Sequence, residues 1–251
     1  MPRKPRHCPP GQVVHVCNRA VHRSQMFFHE FDYREVIKVL AEALQRYPVD
    51  LFAYCLMPNH WHLLLRARKP LAISKMLHWF STKQSVRWRK MTQTTGAGAV
   101  YQNRFRSHLV IVGNAFLAVA RYIERNPVSA NLSSSSLHWK WSSASPENQI
   151  PIDSWPFPKP KAWAKYLEQQ VDEETLRQIR ISKRSCEPFG EGECKGSDPG
   201  SDPTPGPFFE PLISNRCTDL RTIIRFATRR GFHELPTPIK LHADKSIDVV
   251  A

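Results

Sequence analysis

The stretch MPNHWHLLL, residues 57–65, has the composition of a buried strand and carries two histidines one residue apart. Side chains alternate between the two faces of a strand, so His60 and His62 share one face while Trp61 points to the other. Two imidazoles on one rigid face supply half of a metal site. Imidazole suits Zn, Cu, Fe and Ni, and a His pair completed by oxygen ligands also suits Mg²⁺ or Mn²⁺. A structural role for such a pair is at least as common, so a metal site requires partners from elsewhere in the chain.

The residues before this stretch predict a β-hairpin. Residues 49–57 form another apolar run, and only Pro58-Asn59 separates this run from His60. A connection of two residues joins antiparallel neighbours. We therefore expect the His pair to lie beside a partner strand, on a rigid part of the sheet.

The remaining hydrophobic patterns give the order of the elements. Asp32 and Asn114 are the predicted N-caps of the first and third helices, and Pro127 ends the third. The order β-α-β-β-α-β followed by a helix predicts an α+β fold of the ferredoxin-like type, an antiparallel sheet with helices on one face. The periodicity predicts strands at residues 12–18, 49–57, 60–66 and 104–112, and helices at residues 33–47, 71–91 and 114–126.

Composition divides the chain into three parts. Residues 1–145 hold the predicted sheet and the His pair. Residues 146–185 contain a Pro-rich run and are interpreted as a linker with a helical extension from about residue 162 to 181. Residues 186–211 hold five of the ten glycines and six prolines, so residues 186–251 are expected to be a disordered or atypical tail. A short helix is predicted near its end, at residues 219–229.

The positive charge of the chain is confined to the half that holds the His pair. The net charge is +14, and residues 1–145 alone carry 21 Lys and Arg against 6 Asp and Glu. A local excess of this size is typical of a protein that binds a polyanion, most often nucleic acid. An inert basic surface is the less favoured alternative.

The cysteines and the apolar runs exclude several classes of protein. The six cysteines include no C-x₂-C pair, which argues against a zinc ribbon or a disulfide framework. No apolar run approaches the roughly 20 residues of a membrane span, and the basic N-terminus is followed by no signal-peptide core. We therefore expect a cytoplasmic protein without a membrane partner.

The third predicted helix supplies candidate partners for the His pair. Tyr122 and Asn126 lie four residues apart and so share a helix face, and Arg121 and Arg125 flank them. A phenol can attack a phosphodiester, an amide oxygen can bind a metal, and guanidinium groups can hold phosphate. Taken singly, Tyr122 fits a core tyrosine and Asn126 a simple helix end. Asn126 also precedes proline, which disfavours helical backbone angles at that residue.

A second group of basic and aromatic residues is interpreted as a surface that follows a DNA backbone. The second helix repeats basic residues at i+3 and i+4 intervals around Trp79, a pattern that suits single-stranded nucleic acid, although a solvated helix face with Trp79 edging into the core fits as well. The predicted DNA-binding residues are Lys83, Arg87, Arg104, Phe105, Arg106, Arg121 and Arg125.

Two motifs together resemble a known family. His60-Trp61-His62 is similar to the HUH motif, in which U is a bulky apolar residue, and YIERNPV at residues 122–128 follows at the expected distance. In combination they resemble the REP-associated tyrosine transposases of the single-Tyr HUH superfamily, over about residues 2–143. The resemblance implies cleavage of single-stranded DNA at palindromic repeats with a divalent cation, Mg²⁺ or Mn²⁺. By motif, His60, His62 and Asn126 would be the metal ligands and Tyr122 the nucleophile. The family's basic tail has no match here.

Three functions stay open from the sequence. The favoured one is a metal-dependent transposase or endonuclease that cleaves and rejoins single-stranded or hairpin DNA through a 5′-phosphotyrosine intermediate, as a monomer or homodimer. A second is a decayed or domesticated protein that binds structured single-stranded nucleic acid without cutting it. A third is a hydrolase in which water replaces Tyr122. The complete set of His60, His62, Tyr122 and Asn126 favours the first.

Overall fold

The computed structural model describes residues 8–185, 188–190, 240–241 and 247–248. The chain forms two compact units, residues 1–196 and residues 197–251. In the second unit, Lys240–Leu241 pairs antiparallel with Ile247–Asp248. The helix expected at residues 219–229 and most of the predicted tail lie outside the described residues.

The first unit is built on a four-stranded antiparallel sheet, as the sequence predicts. The strand order is β2-β3-β1-β4, with β1 and β3 in the centre, which is the ferredoxin-like arrangement. Pro58 and Asn59 form the predicted two-residue turn between β2 and β3. The strands are β1 Val13–Arg19, β2 Val49–Met57, β3 His60–Ala67 and β4 Arg106–Val110.

Helices cover both faces of this sheet. The two helices of the β-α-β-β-α-β unit lie on one face, as expected, and the third packs on the opposite face with the short helices that follow it. The helices are α1 Glu30–Arg46, α2 Ala72–Met91, α3 Asn114–Glu124, α4 Asn126–Ser129, α5 Trp163–Glu168 and α6 Glu173–Ser185. Since β3 alternates, Trp61 and Leu63 enter the α1/α2 core, whereas Leu64 enters the α3 core.

Two predicted N-caps are wrong. Helix α1 begins earlier, after His29, and Asp32 sits inside its first turn, where its carboxylate accepts hydrogen bonds from the backbone N–H groups of Phe28 and His29. Helix α3 begins at Asn114 itself, and the capping position is Gly113 with a φ of 123°. Glycine adopts that backbone conformation without the steric cost that a Cβ atom imposes.

The segment interpreted as a linker is part of the first unit and lies along the outer edge of β2. The backbone N–H of Asp153 donates to the carbonyl of Leu51 at 2.9 Å, and the indole of Trp155 donates to the carbonyl of Phe52 at 3.0 Å. Covering an edge strand in this way occupies backbone groups that would otherwise be open to another chain. The helix expected at residues 162–181 is two helices, α5 and α6.

Among the described residues, no helix is both long enough and apolar enough to cross a lipid bilayer.

Candidate active site

The register of the sheet collects polar side chains on the face that α3 covers. Residues of neighbouring strands that pair directly project to the same face. Cys17 of β1 pairs with His62 on one side and Arg106 on the other, and His15 pairs with Leu64 and His108. The histidine pair of β3 therefore shares its face with two histidines that come from β1 and β4.

The imidazole rings lie in contact with one another and with Tyr122. The ring centroids of His60 and His62 are 5.0 Å apart, and that of Tyr122 lies 5.7 Å from His62 and 6.0 Å from His15. The His15 Nε2 and His62 Nδ1 atoms are 2.9 Å apart, a hydrogen bond, and His108 packs edge-on against His15 at 4.8 Å. The structure thus brings the predicted nucleophile to the predicted histidine pair.

Asn126 remains beside Tyr122 although a proline follows it. Helix α3 ends at Glu124, and the chain continues through Arg125 into α4, which starts at Asn126 with Pro127 in its first turn, where proline is tolerated. The Asn126 amide nitrogen donates to the carbonyl of Tyr122 at 2.8 Å. This bond ties the two residues together.

The residues that form this sheet and helix α3 match the model of a known family. Residues 11–126 match the family model described as transposase IS200 like. The match covers slightly less than half of the chain, and over these residues the chain is similar to IS200-like transposases. The match begins just before β1 and ends on Asn126, so it includes all four strands, both histidines of β3 and Tyr122.

Two solved structures are similar to this chain. One is a REP-associated tyrosine transposase bound to a REP hairpin, with 18% identity and a TM-score of 0.48 over 57% of this chain and 82% of that chain. The other is named as a transposase from Deinococcus radiodurans R1, with 20% identity and a TM-score of 0.36 over 49% of this chain and 96% of that chain. No curated protein matches the chain.

His60 and His62 are oriented as metal-binding histidines usually are. His60 Nδ1 lies 2.6 Å from the amide oxygen of Asn59, and His62 Nδ1 is held by His15. Metal-binding histidines are generally oriented in this way by a partner on the other ring nitrogen. Within the described ranges, no three His, Cys, Asp or Glu side chains form a metal-binding group. The assignment of Asn126 as the third ligand stays a prediction.

Positively charged side chains lie on the sheet near Tyr122. Burial lowers the pKa of the Arg19 guanidinium below its ordinary value, and the charges of Arg23 and Arg106 lower it further, while Cys17 and Tyr122 act in the opposite direction. Arg19 ends β1 opposite His60. Together with the exposed Arg106, it gives the site face two cations that can receive phosphate.

Arg121 and Arg125, predicted to bind DNA, instead hold the C-terminal part of the first unit. The Arg121 guanidinium donates to the carbonyls of Gln169 and Gln170, and that of Arg125 donates to the carbonyl of Leu167. Both side chains are buried. In this structure the two arginines fix the helix that carries Tyr122 to α5 and to the two residues that follow it.

The other predicted DNA contacts are divided between the two faces. Lys83 and Arg87 lie on α2, on the face opposite Tyr122, and pair with Glu42 and Glu35 of α1. The Lys83 ammonium also lies over the ring of Trp79, 4.6 Å from its centroid. Arg104 is exposed, whereas Phe105 is buried in the α1/α2 core.

Glu124 is a buried carboxyl group that the sequence did not single out. It accepts hydrogen bonds from the Ser143 hydroxyl at 2.5 Å and from the Trp163 indole at 2.7 Å, and so joins α3 to the segment along β2 and to α5. Burial raises the pKa of Glu124 above its ordinary value, against the opposing effects of Ser143, the Lys159 charge and Trp163.

The raised pKa of Glu124 predicts a fall in stability with rising pH. The native carboxyl holds its proton more tightly than the unfolded one, so its contribution is complete below about pH 4.3 and is lost as pH rises through the raised pKa. We expect the free energy of unfolding of Glu124→Gln, measured in urea across a pH series, to lack this fall. The matched control Glu147→Gln changes an exposed carboxyl and should retain it. Parallel curves for wild type and Glu124→Gln would contradict the assignment.

His15, His108 and Arg19 are the site residues that sequence reasoning missed. His15 and His108 lie in strands that the pattern predicted, Arg19 directly follows the predicted first strand, and His15 interrupts the apolar run Val13–Val16. The ferredoxin-like strand order already places β1 between β3 and β4. Applying the alternation rule to β1 would have put His15 and Arg19 on the face of His60 and His62.

Proposed function

We propose that this chain cuts and rejoins single-stranded DNA at a hairpin or palindromic repeat through a covalent bond between Tyr122 and a 5′-phosphate. The observation that carries the proposal is the 5.7 Å separation between the ring centroids of Tyr122 and His62 in a domain that matches IS200-like transposases. The similar structure of a REP-associated transposase bound to a REP hairpin is the reason for choosing a hairpin as the DNA to be tested.

The residues of this chain would divide the reaction among them. The Tyr122 hydroxyl oxygen attacks phosphorus and forms a P–O bond, while the bond from phosphorus to the 3′-oxygen of the DNA breaks. The phenol loses its proton, and the departing 3′-oxygen gains one and leaves as a hydroxyl. One phosphodiester is replaced by another, so a 3′-hydroxyl can later attack the phosphotyrosine and restore the strand. No nucleoside triphosphate is consumed.

A divalent cation, Mg²⁺ or Mn²⁺, would be held by His60, His62 and the Asn126 oxygen. When bound, such an ion supplies a Lewis acid for a phosphate oxygen and a fixed point that orients the phosphate. Arg19 and Arg106 would hold the flanking phosphates on the same face. The half-buried position of Tyr122 leaves part of its ring accessible from solvent, as attack on a large substrate requires.

Labelled DNA tests the proposal and its polarity. Full-length protein is incubated with Mn²⁺ and a single-stranded hairpin oligonucleotide labelled at either its 5′ or its 3′ end. A 5′-phosphotyrosine keeps the downstream fragment on the protein, so the 3′ label should migrate with the protein on a denaturing gel and the 5′ label should be released. Release of both labels would indicate hydrolysis by water. Tight binding without cleavage would indicate a binding protein only.

The salt dependence of DNA binding tests which face receives the strand. Each phosphate contact to a single strand contributes about 0.7 to the slope of log affinity against log salt concentration. We expect Arg106→Ala to lower this slope by about 0.7 in a fluorescence anisotropy titration. Lys83→Ala removes the same charge from the α2 face, where Lys83 pairs with Glu42, and should leave the slope unchanged. A reduced slope for Lys83→Ala would extend the DNA path to α2.

A further inference from the structure

The turn before the histidine pair is fastened to the loop that follows β1. The carbonyl of Pro58 accepts hydrogen bonds from the backbone N–H groups of Met26 at 2.7 Å and Phe27 at 3.1 Å, and the carbonyl of Asn59 accepts one from Ala20 at 2.9 Å. The Asn59 side chain makes a further hydrogen bond to this loop, so four hydrogen bonds in total join residues 58–59 to it. A turn held in this way gives the Asn59 side chain a fixed starting point.

The orientation of the Asn59 amide is set by its second hydrogen bond. Its Nδ2 atom lies 2.9 Å from the backbone carbonyl of Arg23, which can only accept a hydrogen bond. The nitrogen must therefore face Arg23 and the oxygen must face His60, where Oδ1 lies 2.6 Å from Nδ1. Arg23 itself has a left-handed backbone conformation, with a φ of 56°.

This arrangement fixes which nitrogen of His60 can bind a metal. An amide oxygen only accepts, so the ring must donate, and Nδ1 carries the proton. In the neutral ring the lone pair is then on Nε2. At His62 the same atom, Nδ1, is engaged by the Nε2 atom of His15 at 2.9 Å. The two rings are thus held through the same nitrogen by partners from two different parts of the chain.

We propose that Asn59 and His15 are positioning residues that hold His60 and His62 so that both bind the cation through Nε2. The inference rests on the proposed function, since it presumes that the pair binds a metal. Neither residue would touch the cation or the DNA. Their effect would be to fix the tautomer and the ring orientation in advance, a contribution that commonly amounts to 10- to 100-fold in metal affinity.

Mn²⁺ binding by full-length protein, followed by electron paramagnetic resonance, tests the inference without DNA. We expect Asn59→Ala to weaken Mn²⁺ binding by roughly 10- to 100-fold and Asn59→Asp to recover most of the loss, because a carboxylate oxygen still accepts from His60 Nδ1. Asn103→Ala, a change at an exposed asparagine in another loop, is the matched control and should bind as wild type does. For His15, the Gln variant keeps an acceptor and should bind more tightly than the Leu variant.

A second readout reports the tautomer directly. Nitrogen-15 NMR of wild type should show the His60 proton on Nδ1, and Asn59→Ala should give a mixture of the two tautomers. His60→Ala distinguishes a failure of the metal site from a failure of the positioning role. If His60→Ala loses Mn²⁺ binding but Asn59→Ala binds like wild type, the positioning role is overturned and the metal site stands. If His60→Ala binds Mn²⁺ like wild type, both the metal site and the positioning role are wrong.

Discussion

Replacing Tyr122 with phenylalanine should abolish the covalent adduct with DNA while leaving hairpin binding intact. The change removes one oxygen atom and keeps the ring that packs against His62 and His15. Loss of a nucleophile typically costs on the order of 10³-fold or more in rate, so the adduct should fall below detection. The measurement is a time course of protein–DNA adduct on a denaturing gel, together with anisotropy for binding.

Tyr47→Phe is the matched control for this experiment. Tyr47 follows α1 and packs against the core on the face of the sheet opposite Tyr122. The substitution therefore removes the same hydroxyl group at a distance from the candidate active site. Its adduct yield should equal that of wild type. Adduct formation by Tyr122→Phe at the wild-type rate would assign the nucleophile to another residue.

Replacing Trp61 with alanine should cause the largest loss of stability. Trp61 is fully buried on the face of β3 opposite His60 and His62, and it packs edge-on against Phe80, with ring centroids 5.4 Å apart. Its indole donates to the Tyr101 hydroxyl, which in turn donates to Gln84, each at 3.0 Å. Truncating a buried tryptophan costs about 3 to 5 kcal/mol, and we expect a loss in this range in urea unfolding.

Two further substitutions test whether the loss of stability depends on the buried ring of Trp61. Trp61→Phe keeps a ring in the core but removes the donor to Tyr101, so it should cost less than the alanine variant. Trp79→Ala removes an indole that is only partly buried on α2 and should cost the least. Because Trp61 lies under His60 and His62, its alanine variant should also weaken Mn²⁺ binding. A Trp61→Ala protein as stable as wild type would contradict the packing described for β3.

The elements of the sheet and its hairpin follow from local patterns. The alternation of residues 57–65 predicted that His60 and His62 share a face and that Trp61 enters the core behind them, and the structure has this arrangement. The spacing of Tyr122 and Asn126 also predicted that the two residues lie close together, and a hydrogen bond joins them although Asn126 begins α4 and does not continue α3. These features depend on neighbours in sequence, which periodicity reports directly.

The features that could not be predicted depend on contacts between distant segments. The i+4 spacing of Arg121 and Arg125 is the same whether their side chains face DNA or the carbonyls of residues 167–170. In residues 139–155, indole N–H groups bond to the backbone of β2, and nothing in a Pro-rich composition indicates such partners. The basic stripe of α2 likewise does not reveal that Lys83 and Arg87 each have a glutamate opposite on α1.

Identification of the DNA-linked residue in wild-type protein tests the central proposal most directly. After incubation with the hairpin oligonucleotide and Mn²⁺, nuclease and trypsin digestion should leave a nucleotide on the peptide Tyr122–Arg125, which mass spectrometry can sequence. We predict that the modified residue is Tyr122 and that a chelator added beforehand abolishes the modification. A nucleotide on any other residue, or DNA cleaved without a linked peptide, would contradict the account.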